Sequence, residues 1–172
     1  MARAYQPKKT SAKLMEGISA GLIGGVAFII VTMLADLILR SGDLFYTMSR
    51  LGSIFTGSTA TPQVGSTSVG LPFIVGALLI LVIFALGGIG FVSYLPIVFK
   101  LGLPKPVFGA IYGLFIWLSV FLTLLGLVNR DVSNSINLWA ILVSCVLAGA
   151  ATGLGLGMVM SKKGGDTYGQ AG

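Results

Sequence analysis

Residues 71–99 read LPFIVGALLILVIFALGGIGFVSYLPIVF, an apolar stretch without a single charged side chain. A helix needs about 20 apolar residues to cross the hydrocarbon of a bilayer, so this stretch is long enough to span it. Further apolar stretches predict helices over 13–40, 106–128 and 135–160. The sequence therefore predicts an all-α membrane protein, a single domain over 1–172 built as a bundle of four transmembrane helices.

The composition supports this class. Hydrophobic residues make up 55% of the 172 positions and charged residues only 9%, with a mean hydropathy of +0.98. Soluble domains carry about 25% charged residues. The first apolar stretch, 18–39, is also too long for the apolar region of a cleaved signal peptide, so we expect it to be retained as a helix.

The lysines indicate a topology. All of them lie before the first span, between the second and third, or after the fourth, namely Lys8, Lys9, Lys13, Lys100, Lys105, Lys162 and Lys163. Cytoplasmic loops carry the excess of Lys and Arg. We therefore expect cytoplasmic tails over 1–12 and 161–172, an outer loop over 41–70, and a multi-pass protein of the cell membrane, specifically a prokaryotic inner membrane. The net charge of +6 then faces phospholipid headgroups, and no nucleic-acid partner is expected.

The outer loop divides into two parts. Its first half, 43–55, has Leu44, Met48, Leu51 and Phe55 on one helical face, which predicts a short amphipathic helix on the membrane surface. Its second half, 56–70, consists mostly of Gly, Ser, Thr, Pro and Val and predicts a loop, or a segment ordered by a partner.

Glycines are concentrated in the cytoplasmic halves of the predicted spans. Small residues three or four apart let helix backbones approach closely in lipid. We expect one tight four-helix contact on the cytoplasmic side, formed by Gly21, Gly24, Gly25, Gly88, Gly109, Gly113, Gly149, Gly153 and Gly157.

A few side chains invite more specific predictions. Asp36 and Arg40 are four residues apart on one helix, which predicts an ion pair at the outer interface. Trp117 falls close to the middle of its span, where it would contact a neighbouring helix or another subunit. Phe45, Phe55 and Trp139 are the other candidate contacts with a partner.

The chain lacks the residues that several kinds of catalytic and metal-binding sites require. The chain has no histidine and one cysteine, Cys145, which lies inside an apolar run. There is thus no imidazole ligand for a haem or metal ion and no histidine base. Glu16 and Asp36 lie near the ends of the first span, so no ionisable group marks a transport path at mid-membrane. We predict no catalytic residue, no metal site and no intrinsic cofactor, but bound lipids.

The arrangement of four sequence features resembles small bacterial four-helix membrane proteins of an uncharacterised domain family. The features are SAGLIGG at 19–25, the surface segment at 44–55, FGAIYGLFIWL at 108–118 and AGAATGLGLG at 148–157. The resemblance implies the four-helix fold and carries no assigned activity.

These observations favour a non-catalytic accessory subunit of a larger membrane complex. We expect an electron-transfer assembly, respiratory or photosynthetic, in which the chain packs against other integral membrane subunits and phospholipid. The alternative is a small homo-oligomeric transporter or channel, with a pore lined by glycine carbonyls and the hydroxyls of Ser119 and Thr123.

Overall fold

The computed structural model describes residues 8–40, 43–57, 70–100, 102 and 104–162. The described residues are helical apart from short connections and contain no strand. The helices are α1 Lys8–Leu39, α2 Tyr46–Thr56, α3 Leu71–Lys100, α4 Lys105–Ile116, a π-helical segment Trp117–Leu124, α5 Leu125–Val128, α6 Arg130–Ser135 and α7 Leu138–Lys162.

Four stretches of helix are long and apolar enough to cross a membrane, as the sequence predicted: Lys13–Leu39, Leu71–Leu95, Lys105–Val128 and Leu138–Val159. The third combines α4, the π segment and α5. The chain is therefore a multi-pass membrane protein. The predicted loop over 56–70 and the polar tails fall largely outside the described residues.

Two helix starts differ slightly from the prediction. Helix α1 begins at Lys8, five residues before the predicted start at Lys13. Helix α4 begins at Lys105, with Pro104 as its N-cap and Pro106 one residue further in. Before it, Gly102 has a φ of 65°, a left-handed conformation that glycine adopts without steric cost.

Helix α7 lies at the centre of the bundle. It packs against α1 on one side and α4 on the other, while α1 also packs against α3. Half of the α7 span is buried, against 28% or less of each other span. One end of the bundle carries Lys13 and Lys105 and is called the lysine end below. The other end carries α2 and α6 and is called the α2 end.

At the lysine end, glycines bring α1 and α3 into backbone contact. A Cβ atom on Gly17 would lie 2.8 Å from the carbonyl oxygen of Gly88, and one on Gly88 would lie 2.9 Å from the Cα atom of Gly21. Since the obstacles are backbone atoms, no side-chain rotation could make room for a methyl group. This first crossing therefore requires glycine.

A second glycine crossing joins α4 to α7. A Cβ atom on Gly109 would lie 2.9 Å from the carbonyl carbon of Gly149, and one on Gly113 would lie 2.8 Å from that of Cys145. Near the start of α4, a Cβ atom on Gly153 would lie 2.7 Å from the carbonyl carbon of Lys105. Cys145 itself is fully buried.

The expectation of one four-helix contact needs correction, because the glycines form separate pairwise crossings. Gly24 belongs to a third, between α1 and α7, where its Cβ atom would lie 2.9 Å from the carbonyl oxygen of Ala148. Gly25 faces the side chains of Leu81 and Phe84. Gly157 has no atom within 4 Å of its Cβ position, so nothing there requires glycine.

Larger side chains fill the bundle where no glycine crossing exists. Between α3 and α4 the ring of Phe91 packs on Phe108 and Tyr112, with ring centroids 5.3 and 5.6 Å apart. Toward the α2 end the ring of Phe28 packs on Phe84 at 5.4 Å and on Phe121 at 5.5 Å. Glycines thus bring α1 close to α3 and α4 close to α7, whereas aromatic rings separate α3 from α4 and, nearer α2, fill the space between α1, α3 and the π segment.

Candidate functional site at helix α2

A buried carboxylate at the end of α1 holds the start of α2. Asp36 accepts hydrogen bonds from the Thr47 backbone N–H at 2.8 Å and from the Thr47 hydroxyl at 2.7 Å. Both residues are buried. Thr47 is the second residue of α2, where backbone N–H groups have no partner within the helix and the helix dipole favours a negative charge. Asp36 therefore caps α2 from a different helix.

The hydrogen bonds of Asp36 go to Thr47 rather than to Arg40, with which the sequence predicted an ion pair, although the charge of Arg40 still acts on this carboxylate. The Arg40 Nη2 atom donates to the backbone carbonyl of Ser135 at 2.6 Å, and its guanidinium carbon lies 3.7 Å from the centroid of the Tyr46 ring. The prediction used the four-residue spacing of charged residues within one helix. It therefore could not identify a partner on α2. The two charged residues instead tie the end of α1 to α2 and α6.

Tyr46 lies between two arginines. The guanidinium carbon of Arg50 is 5.4 Å from the ring centroid, and its Nε atom lies 3.4 Å from the phenol oxygen. Burial alone would raise the pKa of Tyr46. The Arg50 hydrogen bond and the charges of Arg40 and Arg50 outweigh burial and lower the pKa below its ordinary value of 10.0. The α2 end thus has a positive field around this phenol.

Asp43 adds a second buried carboxylate just before α2. Its Oδ1 atom accepts a weak hydrogen bond from the Phe45 N–H at 3.4 Å. Its Oδ2 atom has no hydrogen-bond partner among the described residues. Residues 41 and 42, directly before it, lie outside them.

Helix α2 rests on α3 through a pair of glycines that the sequence analysis missed. A Cβ atom on Gly52 would lie 2.7 Å from the Gly76 nitrogen, and one on Gly76 would lie 2.9 Å from the Met48 carbonyl carbon. The buried face of α2 is consequently Thr47, Met48, Leu51 and Gly52. Of the residues predicted to share one face, Met48 and Leu51 are buried, Phe55 is 66% exposed and Leu44 precedes α2.

An apolar groove lies where α2, α3 and the π segment meet. Its volume is about 140 Å³ and every residue lining it is apolar. Helix α2 contributes Leu51, Ile54 and Phe55 and α3 contributes Leu79, Ile80 and Ile83; the third span contributes Val120, Phe121, Leu124, Leu125 and Val128. Two of its three walls, those of α3 and of the third span, belong to helices long and apolar enough to cross a membrane.

The π-helical turn shapes one wall of this groove. The Thr123 hydroxyl bonds to the carbonyl of Leu118, five residues earlier. At the start of the segment, the indole N–H of Trp117 donates to the backbone carbonyl of Leu138 at 2.9 Å, which ties the turn to α7. Trp117 thus makes a helix contact within the chain, one of the two roles that its sequence position left open. Wider turns of this kind are frequent at functional sites.

The other aromatic candidates take different places. Phe45 packs edge-on against Phe73 with ring centroids 4.9 Å apart. Phe55 lines the groove and is largely exposed, and Trp139 is 74% exposed near the start of α7. Of the candidate partner contacts, Phe55 and Trp139 therefore have the exposed rings.

Known proteins offer no comparison. No protein-family model matches the chain, no curated protein matches its sequence, and no solved structure matches its fold. The function must be argued from the groove and the charged residues around it.

The site combines an apolar groove with a few charged side chains. No group of three or more His, Cys, Asp or Glu side chains suited to a metal ion occurs among the described residues. Asp36 and Thr47 use their polar atoms on each other. The site instead presents an apolar groove beside a positively charged helix.

Proposed function

We propose that the chain is a non-catalytic accessory subunit of a larger membrane complex, in which it contributes helix packing and lipid contacts. The assembly we favour is a respiratory or photosynthetic electron-transfer complex in a prokaryotic inner membrane. In this arrangement both termini are cytoplasmic and α2 lies at the outer membrane surface, as the lysine distribution predicts.

The observation that carries the proposal is the direction of the small and hydroxyl residues. Gly24, Gly113 and Gly153 lie against the backbone of neighbouring helices, so their Cα atoms border helix contacts. Ser119 and Thr123 lie on the exposed side of the third span, and the Thr123 hydroxyl bonds within its own turn. These groups do not line a common passage within one copy of the chain, which speaks against a pore through a single copy. A pore between copies of the chain is the alternative that the flux assay below tests.

Exposed apolar surface gives the proposal its positive support. Along the third span Ile111, Phe115 and Leu118 are exposed, as are Leu122 and Leu127. Trp139 adds a large exposed ring close to the α2 end. Lipid tails or the helices of other subunits can cover such faces, and aromatic residues are common at subunit contacts.

Extraction from native membranes tests the proposal. The chain is tagged, extracted in a mild detergent and run on native electrophoresis, and the proteins that migrate with it are identified by mass spectrometry. Migration at many times 17.8 kDa with other integral membrane subunits in fixed ratio supports the accessory role. Migration alone or as a homo-oligomer refutes it, and a flux assay in liposomes then tests the transporter.

A pair of variants sharpens this experiment. Trp139→Ala removes an exposed ring near the α2 end, and Met158→Ala removes an exposed apolar side chain near the opposite end of the same helix. Neither side chain is part of the buried core, so both variants should fold. We expect Trp139→Ala to release the chain from its complex at a lower detergent concentration than Met158→Ala does.

A further inference from the structure

Arg50 lies on α2, the helix that forms one wall of the groove. One molecule could therefore contact both the cation and the groove. Arg50 and Ile54 are one turn apart on α2, so their side chains project from the same face about 5–6 Å from each other. Ile54 lines the groove. We propose that this region binds one anionic phospholipid, with an acyl chain in the groove and the phosphate on Arg50.

Arg50 has hydrogen-bonding capacity to offer. A guanidinium group carries five N–H donors in a planar fork that matches phosphate oxygens. Within the described part of the chain, the only hydrogen bond made by this side chain is the long one from Nε to the Tyr46 hydroxyl. Its terminal nitrogens have no hydrogen-bond partner among the described residues. Arg40 lies on the same phenol ring and close to the buried carboxylates of Asp36 and Asp43, so Arg50 is the cation that an anionic headgroup would meet.

The groove has the direction that an acyl chain requires. Its wall on the third span runs from Val128, at the α2 end, to Val120, eight residues deeper in the bundle. At 1.5 Å per residue this is about 12 Å along the helix. A chain that starts beside Arg50 would therefore descend from the polar end of the bundle toward its middle.

The lining of the groove and the cation beside it suit a lipid. The groove has a volume of about 140 Å³ and only apolar side chains line it, and Arg50 lies one turn from Ile54 on α2, a combination that matches the apolar tail and the charged head of one lipid. A polymethylene chain is narrow and flexible enough to follow the wall. The lipid site does not depend on partner subunits, so it stands apart from the proposed accessory role.

Lipid retention by the purified chain tests the proposal. The chain is purified in mild detergent and titrated with phosphatidylglycerol or phosphatidylcholine of identical acyl chains, and bound lipid is counted by native mass spectrometry. We expect one saturable site that prefers phosphatidylglycerol. Arg50→Gln should weaken phosphatidylglycerol binding about fivefold, the effect expected of one cation near an anionic lipid, and weaken phosphatidylcholine binding by less, because choline balances the charge of its phosphate.

Matched variants separate the two halves of the site. Lys13→Gln removes an exposed cation at the lysine end, opposite the groove, and should not change the binding of either lipid. Val120→Trp fills the groove and should weaken both lipids, whereas Leu122→Trp places the same ring on the exposed side of the π segment and should not. Circular dichroism checks that each variant keeps its helices.

Three results would overturn the proposal. The first is equal binding of the two lipids, and the second is an unchanged phosphatidylglycerol affinity in Arg50→Gln. The third is crosslinking to a protein and not to lipid, in native membranes, by a photoreactive amino acid that replaces Phe55. The lipid-binding measurements use the isolated chain, whereas the accessory role is tested in native membranes. Either proposal can therefore be refuted while the other stands.

Discussion

The glycine crossing between α4 and α7 makes a quantitative prediction through the variant Gly149→Ala. A Cβ atom on Gly149 would lie 2.9 Å from the Gly109 carbonyl carbon and 2.9 Å from the Gly113 Cα atom, and it would also meet the Gly109 carbonyl oxygen. Ordinary contacts of a Cβ atom begin at 3.4 Å. Helix α4 must therefore move away by about 0.5 Å or more, since backbone atoms cannot rotate aside.

The size of the effect follows from a matched control in the same helix. Gly157→Ala places its methyl group where no atom lies within 4 Å. Both variants gain about 1 kcal/mol from the higher helix propensity of alanine. This gain cancels in the comparison, and overpacking leaves Gly149→Ala less stable than Gly157→Ala by about 1–3 kcal/mol.

Thermal unfolding in mild detergent measures the difference. For a chain of this length 1 kcal/mol corresponds to about 2–4 °C, so Gly149→Ala should melt about 2–12 °C below Gly157→Ala. Gly157→Ala itself should melt at or above the wild type. Equal melting temperatures for the two variants would show that α4 and α7 do not meet through backbone contact at Gly149, and the crossing would have to be abandoned.

The other predictions concern the α2 end. Asp36→Ala orphans the buried Thr47 N–H and should cost about 1–3 kcal/mol of stability, whereas Thr47→Val removes only the hydroxyl bond and should cost less; melting curves that rank them the other way would contradict the cap. The pKa of Tyr46 is lowered in the folded protein, so folding should become more favourable as the pH rises from below the folded pKa toward 10.0. Arg50→Gln should raise this pKa and move the tyrosinate absorbance transition to higher pH. An unmoved transition would show that Arg50 does not lower the pKa. Trp117→Phe keeps a ring but loses the indole hydrogen bond, so it should lower the stability by about 1 kcal/mol, and an unchanged melting temperature would show that this bond contributes nothing.

Hydropathy alone predicted the four spans, because a bilayer imposes length and apolarity on any helix that crosses it. The bounds differ by only a few residues, as at Lys8 and Lys105. The short helix α2 was also predicted, from its apolar spacing. These features depend on local sequence, which is why local patterns suffice for them.

Local sequence patterns did not predict the contacts between helices. The partner of Asp36 was sought on its own helix, but the structure gives it Thr47 on the next one. Gly52 and Gly76 meet across two helices, and only a pairing of the two segments could have revealed them. The groove depends on the π turn after Ile116, and an uninterrupted apolar sequence contains no sign of where a helix widens.

The central place of α7 has a consequence for how the chain is made. Helix α4 follows α3 along the chain, but the extensive backbone packing of α4 is with α7, through Gly109 and Gly149. During synthesis the first and second spans can pair as soon as both have entered the bilayer. The third must wait beside them until the fourth span arrives, with its glycine face against lipid. Membrane insertion factors and quality-control proteases would therefore meet this chain at its most vulnerable stage, after three spans have entered.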